Sequence, residues 1–91
     1  MSDINIPQPT LFSKPGCVQC NAVARYFDQH KIPYQKVDIT ESAQGYALVE
    51  QWGYKQVPVV SYNFSHFYGF DPNKLAEIKE DYAPVEVGVA A

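Results

Sequence analysis

The sequence of 91 residues predicts an α/β chain built on a four-stranded mixed sheet with helices on both faces. Three observations predict it. Strand candidates at 10–13 and 34–39 bracket a stretch with helical spacing, the pattern of a parallel β-α-β crossover, which is right-handed almost without exception. Strand candidates at 57–62 and 66–68 are separated only by Asn63-Phe64-Ser65, so they read as an antiparallel hairpin. Helical stretches fill the other intervals, and the order becomes β-α-β-α-β-β-α.

Each element has a local reason. Residues 1–9 hold two prolines and no clear period, and read as a lead-in. Thr10-Leu11-Phe12-Ser13 is a short strand, broken by Pro15 and Gly16. Residues 17–30 read as a helix: Val23, Tyr26, Phe27 and His30 keep helical spacing, Ala22 and Ala24 favour the helix, and Ile32-Pro33 stops it. In the strand 34–39, Tyr34, Lys36 and Asp38 alternate with Gln35, Val37 and Ile39. Thr40-Glu41-Ser42 offers N-cap residues for a helix over 43–52, with Tyr46, Val49, Trp52 and Leu48 on its predicted buried face and Gly53 at C′. Val57-Pro58 opens a buried strand. Asp71-Pro72 pairs an N-cap with proline at N1 for a helix over 73–82, with Leu75, Ile78 and Tyr82 on one face. Residues 83–91 lack a helical period and read as a tail.

Composition bounds the function. The length suits one domain, 1–91, with one core, and a hydrophobic content of 46% argues against a disordered chain. Seven tyrosines, five phenylalanines and one tryptophan supply large groups to bury. Two cysteines are too few for a disulfide-stapled secreted scaffold. No basic segment followed by an apolar run opens the chain, and no apolar run reaches membrane-span length, so a reducing cytoplasm is the expected location. The net charge of −3, with dispersed lysines and arginines, gives no nucleic-acid surface. A monomer with no nucleic-acid or membrane partner is expected.

Lys14-Pro15-Gly16-Cys17-Val18-Gln19-Cys20 holds both cysteines at a strand-to-helix junction. Such a Cys-x-x-Cys reads as a dithiol redox site. Residues three apart on a helix share a face, so two sulfurs reach bonding distance by a small adjustment. The unpaired amides and positive dipole end of the first helical turn stabilise a thiolate there. Cys17 is therefore the expected attacking thiolate and Cys20 the resolving thiol, with Lys14 a possible modulator of the Cys17 pKa or a solvated loop lysine. The same pair is open to two blander readings, half of a zinc site or two inert thiols. Zinc needs four ligands, and the other donors, His30 and His66, fit no common finger spacing. His66 reads as structural. Asp38 ends its strand and receives no catalytic role.

The order of elements, with Cys-x-x-Cys after the first strand and Val57-Pro58 opening the third, resembles the thioredoxin fold in its small glutaredoxin form. Lys14 to Ala22, Tyr34 to Ile39, Gly53-Tyr54 and Val57-Pro58-Val59-Val60 are similar to the NrdH-redoxin signature, and His66 to Pro72 resembles that family's late His-Trp-Ser-Gly-Phe-Arg-Pro stretch. The resemblance covers roughly residues 10–80. It implies a redoxin that takes electrons from thioredoxin reductase, hence from NADPH, and passes them to class Ib ribonucleotide reductase through the large subunit's cysteine pair. It implies no bound cofactor, because the electrons travel in the thiols. It also implies a cis Val57–Pro58 bond facing the cysteines, where the residues alone read as an ordinary trans proline. Val57 and Pro58 would present backbone to an extended partner segment. Phe67, Gly69 and Phe70 are the further candidate partner contacts, with Phe67 leaning to the core and Phe70 to the site. Phe67-Tyr68 and Asp71 replace the family's Trp-Ser and Arg. A glutathione-dependent glutaredoxin or general protein disulfide reductase is the alternative. That family often carries Cys-Pro-Tyr-Cys and a late Gly-Gly, against Val18-Gln19 and a single Gly69 here. A non-catalytic interaction domain or iron–sulfur carrier is a third reading; two intact cysteines argue against pure scaffolding, and bound iron would favour the carrier.

Overall fold

The computed structural model describes residues 8–82. The predicted lead-in, apart from Gln8 and Pro9, and the predicted tail at 83–91 lie outside the described residues. The order is β1 (Thr10–Ser13), α1 (Val18–Gln29), β2 (Gln35–Asp38), α2 (Ala43–Gln51), β3 (Val59–Tyr62), β4 (Ser65–Tyr68) and α3 (Pro72–Asp81). The sheet runs β2-β1-β3-β4, with β1 parallel to β2 and both β1–β3 and β3–β4 antiparallel. This is the predicted four-stranded mixed sheet of the thioredoxin/glutaredoxin fold.

Side-chain alternation divides the core. Leu11 and Val60 point to one face, where they meet Val23 and Phe27 of α1 and Leu75 and Ile78 of α3. Their neighbours Phe12 and Val59 point to the other, where they meet Val49 of α2 together with Cys20 and Val57. A strand places successive residues on opposite faces, so the pairs Leu11-Phe12 and Val59-Val60 supply both layers.

Several boundaries differ from the sequence reading. Pro9 is buried and its carbonyl accepts the Gln35 N–H at 2.9 Å, so pairing with β2 begins inside the expected lead-in. Val57 and Pro58 precede β3 rather than open it, as befits a residue with no N–H to give to a ladder. The hairpin turns on Asn63 and Phe64, at φ 52° and 69°, and Ser65 joins β4. Two successive positive φ angles match strand twist in a two-residue turn.

The predicted face of α2 is also corrected. Val49 is buried, but Tyr46 is 51% and Leu48 37% exposed, and Gly45 is buried instead. The cause is close approach. A Cβ at Gly45 would lie 2.6 Å from Val37 Cγ1, so the helix lies on the sheet along its Gly45-Val49 row and turns Tyr46 outward. Its ends follow local chemistry. Ser42 Oγ accepts the Gly45 N–H at 2.9 Å, and Gly53 sits at φ 94° just past the C-cap Trp52, its N–H given to Glu50. The expected cap of α3 is present: Asp71 Oδ1 accepts the Asn73 and Lys74 N–H groups at 3.1 and 3.2 Å, with Pro72 at the first helical position.

Candidate active site

Cys17 is the N-cap of α1, with extended backbone at φ −95° and ψ 109°. Pro15 and Gly16 (φ 74°) turn the chain out of β1 and deliver it to that cap. Cys17 Sγ accepts the backbone N–H of Cys20 at 3.1 Å, in the position a serine or aspartate oxygen takes at other helix starts. The two Cα atoms lie 5.2 Å apart and the sulfurs are joined in a disulfide. The amide that caps the helix is therefore also the donor available to a Cys17 thiolate, in addition to the dipole of the first turn.

The two sulfurs differ in access. Cys17 is half-buried, whereas Cys20 is 2% exposed and packs on Phe12, Val49, Val57 and Val59. A partner meets Cys17 first. Across from it the Val57–Pro58 bond is cis, as the resemblance implied, and the Val57 carbonyl oxygen is 3.8 Å from Cys17 Sγ. Behind that carbonyl, the Gly69 N–H donates to the Pro58 carbonyl at 2.8 Å. Gly69 sits at φ 83°, the left-handed region where a side chain is strained, and a Cβ there would meet Gln19 Oε1 at 3.5 Å.

The other candidate residues are distributed unevenly. Val57, Pro58 and Gly69 gather at the disulfide. Phe70 is 39% exposed and edges onto Tyr26, with ring centroids 6.2 Å apart. Phe67 is half-buried against the α1/α3 core, across the sheet from the cluster that holds the cysteines. Lys14 is exposed in the loop between β1 and α1. Asp38 closes β2 and accepts from the Thr40 hydroxyl and the Thr40 N–H. Those two bonds, hydroxyl first, hold its carboxyl below the usual carboxylate range. His66 stacks on Trp52, with centroids 4.3 Å apart and planes at 11°, and shares a hydrogen bond of 2.8 Å with the Tyr54 hydroxyl. His30 packs on Tyr26. Among the described residues, no three His, Cys, Asp or Glu side chains form a group able to hold a metal ion, and no helix is long and apolar enough to cross a membrane.

Sequence reasoning did not find Gln56, and it offered Tyr54 only as part of the Gly53-Tyr54 resemblance and Tyr68 only as an apolar rim or core residue, not as hydrogen-bonding groups at the border of the site. The Tyr68 hydroxyl donates to Gln56 Oε1 at 3.0 Å. The one available signal was the replacement of the family's small Ser by Tyr68.

The family model described as Glutaredoxin matches residues 10–67. The chain is 30% identical over 69 residues to the "Glutaredoxin-like protein NrdH" of Lactococcus lactis subsp. cremoris, covering 76% of this chain and 96% of the relative. It is 29% identical over 82 residues to the "Gene 56 protein" of Mycobacterium phage D29, covering 88% and 91% of the two chains. Its fold is similar to the solved NrdH-redoxin of Escherichia coli, with a TM-score of 0.74 at 21% identity, over 78% of this chain and 93% of the other. A helix-capping sulfur bonded to a buried one three residues on is the arrangement disulfide exchange requires. With the matches above it assigns the chain to the glutaredoxin family, as a glutaredoxin-like thiol–disulfide oxidoreductase of the NrdH type.

Proposed function

We propose that this redoxin carries electrons from thioredoxin reductase, and so from NADPH, to the large subunit of a class Ib ribonucleotide reductase in the cytoplasm. The similarity to the Lactococcus NrdH protein supports the route. The observation that carries the chemistry is the capping contact between Cys17 Sγ and the Cys20 N–H.

Cys17, as thiolate, attacks one sulfur of the partner disulfide, and the other partner sulfur leaves as a thiolate that takes a proton. The Cys20 thiol loses its proton and attacks Cys17 Sγ, which forms the Cys17–Cys20 bond and releases the second partner sulfur. Two electrons pass to the partner, and the redoxin is oxidised to the disulfide form. The reductase returns two electrons and restores both thiols.

The remaining roles follow position. Lys14 supplies positive charge on the approach to Cys17. Val57 and Pro58 offer backbone to an extended partner segment beside the sulfur. Gly69 holds that backbone through Pro58, and Phe70 with Val18, which is 81% exposed, gives an apolar rim. Phe67 acts from the core side, by fixing β4.

The test is NADPH consumption with a protein disulfide as acceptor, comparing thioredoxin reductase with glutathione plus its reductase. Turnover with thioredoxin reductase is the expected result. Efficient turnover only with the glutathione couple would replace this reading by a glutathione-dependent glutaredoxin.

A further inference from the structure

The stretch Gly53-Tyr54-Lys55-Gln56 carries the chain from α2 to Val57. Its backbone is tied at Tyr54, whose N–H donates to Val49 at 3.1 Å, and again at Pro58, whose carbonyl accepts from Gly69 at 2.8 Å. Between those ties, side chains from β4 hold it. His66 and Tyr68 stand two residues apart on that strand, opposite Ser61 and Val59, and Val59 belongs to the cluster that contains Cys20. Alternate strand residues share a face, so both side chains are on the α2 side of the sheet. His66 shares its 2.8 Å bond with the Tyr54 hydroxyl, and Tyr68 donates its 3.0 Å bond to Gln56. Residues 54 and 56 thus meet residues 66 and 68 as two rungs, and the next residue along the loop is Val57, whose carbonyl lies 3.8 Å from Cys17 Sγ.

We propose that these two rungs form a side-chain clasp that sets the distance of the Val57 carbonyl from Cys17, which makes Tyr68, Gln56 and Tyr54 positioning residues for disulfide exchange. The inference rests on the exchange reading above. Two opposed consequences separate it from a merely structural role. A carbonyl oxygen beside the sulfur accepts from a thiol and repels a thiolate, so it favours the neutral Cys17. The same carbonyl belongs to the backbone offered to the partner. A loosened clasp therefore makes Cys17 ionise more easily and yet serve a partner less well.

Tyr68→Phe and Gln56→Ala, singly and together, test the first rung, and Tyr54→Phe tests the second. One readout is kcat/KM for reduction of insulin disulfides with dithiothreitol as the electron source. The other is the pH midpoint of iodoacetamide alkylation of the reduced protein, with modification at Cys17 confirmed by peptide mass. Each single variant is expected to lose about two- to fivefold in kcat/KM, the size of one exposed hydrogen bond, through KM rather than kcat. The alkylation midpoint is expected to fall by a few tenths of a pH unit. The Tyr68/Gln56 double variant should lose no more than either single one, because both remove the same bond. Gln56→Glu, which keeps an acceptor for Tyr68, should hold kcat/KM near the wild-type value; its added carboxylate raises the alkylation midpoint by charge alone, so only kcat/KM is read for it. Wild-type values throughout, or losses that multiply in the double variant, would overturn the clasp. Absence of wild-type insulin turnover would count against the exchange reading, and the alkylation midpoint would still decide the clasp.

Discussion

Toward α1 and α3 the sheet presents Leu11 and Val60, both fully buried, and the cluster closes with Val23, Phe27, Leu75 and Ile78, none more than 3% exposed. Toward α2 it presents Phe12 and Val59; both clusters have half-buried borders, but only here does the border open onto a reactive group. Cys17, Trp52 and Tyr54 are half-buried members of that border, each with a polar atom or a sulfur near solvent. The first layer is closed in the chemical sense: its half-buried border holds tyrosines and Phe67 but no thiol. The open layer gives Cys17 an apolar floor, two backbone dipoles of opposite sign and a route for a partner. The difference teaches where reactivity sits in this chain: on the face whose border carries the sulfur, not on a face that is packed less fully.

Breaking the open face chemically gives the largest effect. Cys17→Ser is expected to lower electron transfer to a protein disulfide by more than about a hundredfold, because a serine hydroxyl is a weak nucleophile at neutral pH. Its thermal midpoint should stay close to that of the reduced wild-type protein. Insulin reduction and circular dichroism melting measure the two. Retained electron transfer would remove Cys17 from the mechanism.

Breaking the closed face should do the reverse. Leu75→Ala leaves a cavity between α3 and the sheet and is expected to cost about 2–5 kcal/mol by urea unfolding. At temperatures where the variant is folded, kcat/KM should stay within twofold of wild type. A large loss of activity in folded Leu75→Ala would show that the two layers are coupled.

The smallest effect sharpens the contrast at the rim of the closed face. Burial, followed by the hydrogen bond that the Tyr62 hydroxyl donates to Asp81 at 2.8 Å, raises the pKa of the Tyr62 phenol. A folded-state pKa above the unfolded value, about 10, adds stability that is full below that pH and is lost as pH rises beyond it. Stability measured from pH 9 upward should therefore fall, and Tyr62→Phe should flatten that fall. The same slope in wild type and variant would assign the alkaline loss to other groups.

Legibility followed the range of the interactions. Asp71-Pro72 and Ser42 were readable as caps because a cap is made by residues within one turn. The Cys17-Cys20 spacing was readable for the same reason, and so was the hairpin. Tyr46 and Leu48 were misplaced because the rotation of α2 is set by contact between Gly45 and Val37 of the preceding strand, β2, a packing contact that helical spacing alone does not reveal. The site border was legible in part: Val57, Pro58 and Tyr54 came through family resemblance, whereas nothing local marks Gln56 or shows that Tyr68 bonds to it.

By itself the sequence determined the order of elements, the helix starts and the placing of two sulfurs one turn apart, all products of short-range backbone chemistry. The tertiary structure decided which faces meet, that Phe67 lies across the sheet from the cysteines, and that the Val57 carbonyl stands opposite Cys17. Those relations join residues about forty positions apart in sequence, from Cys17 to Val57. Packing alone sets such distances, because a side chain's sequence neighbours carry no information about what lies across the sheet.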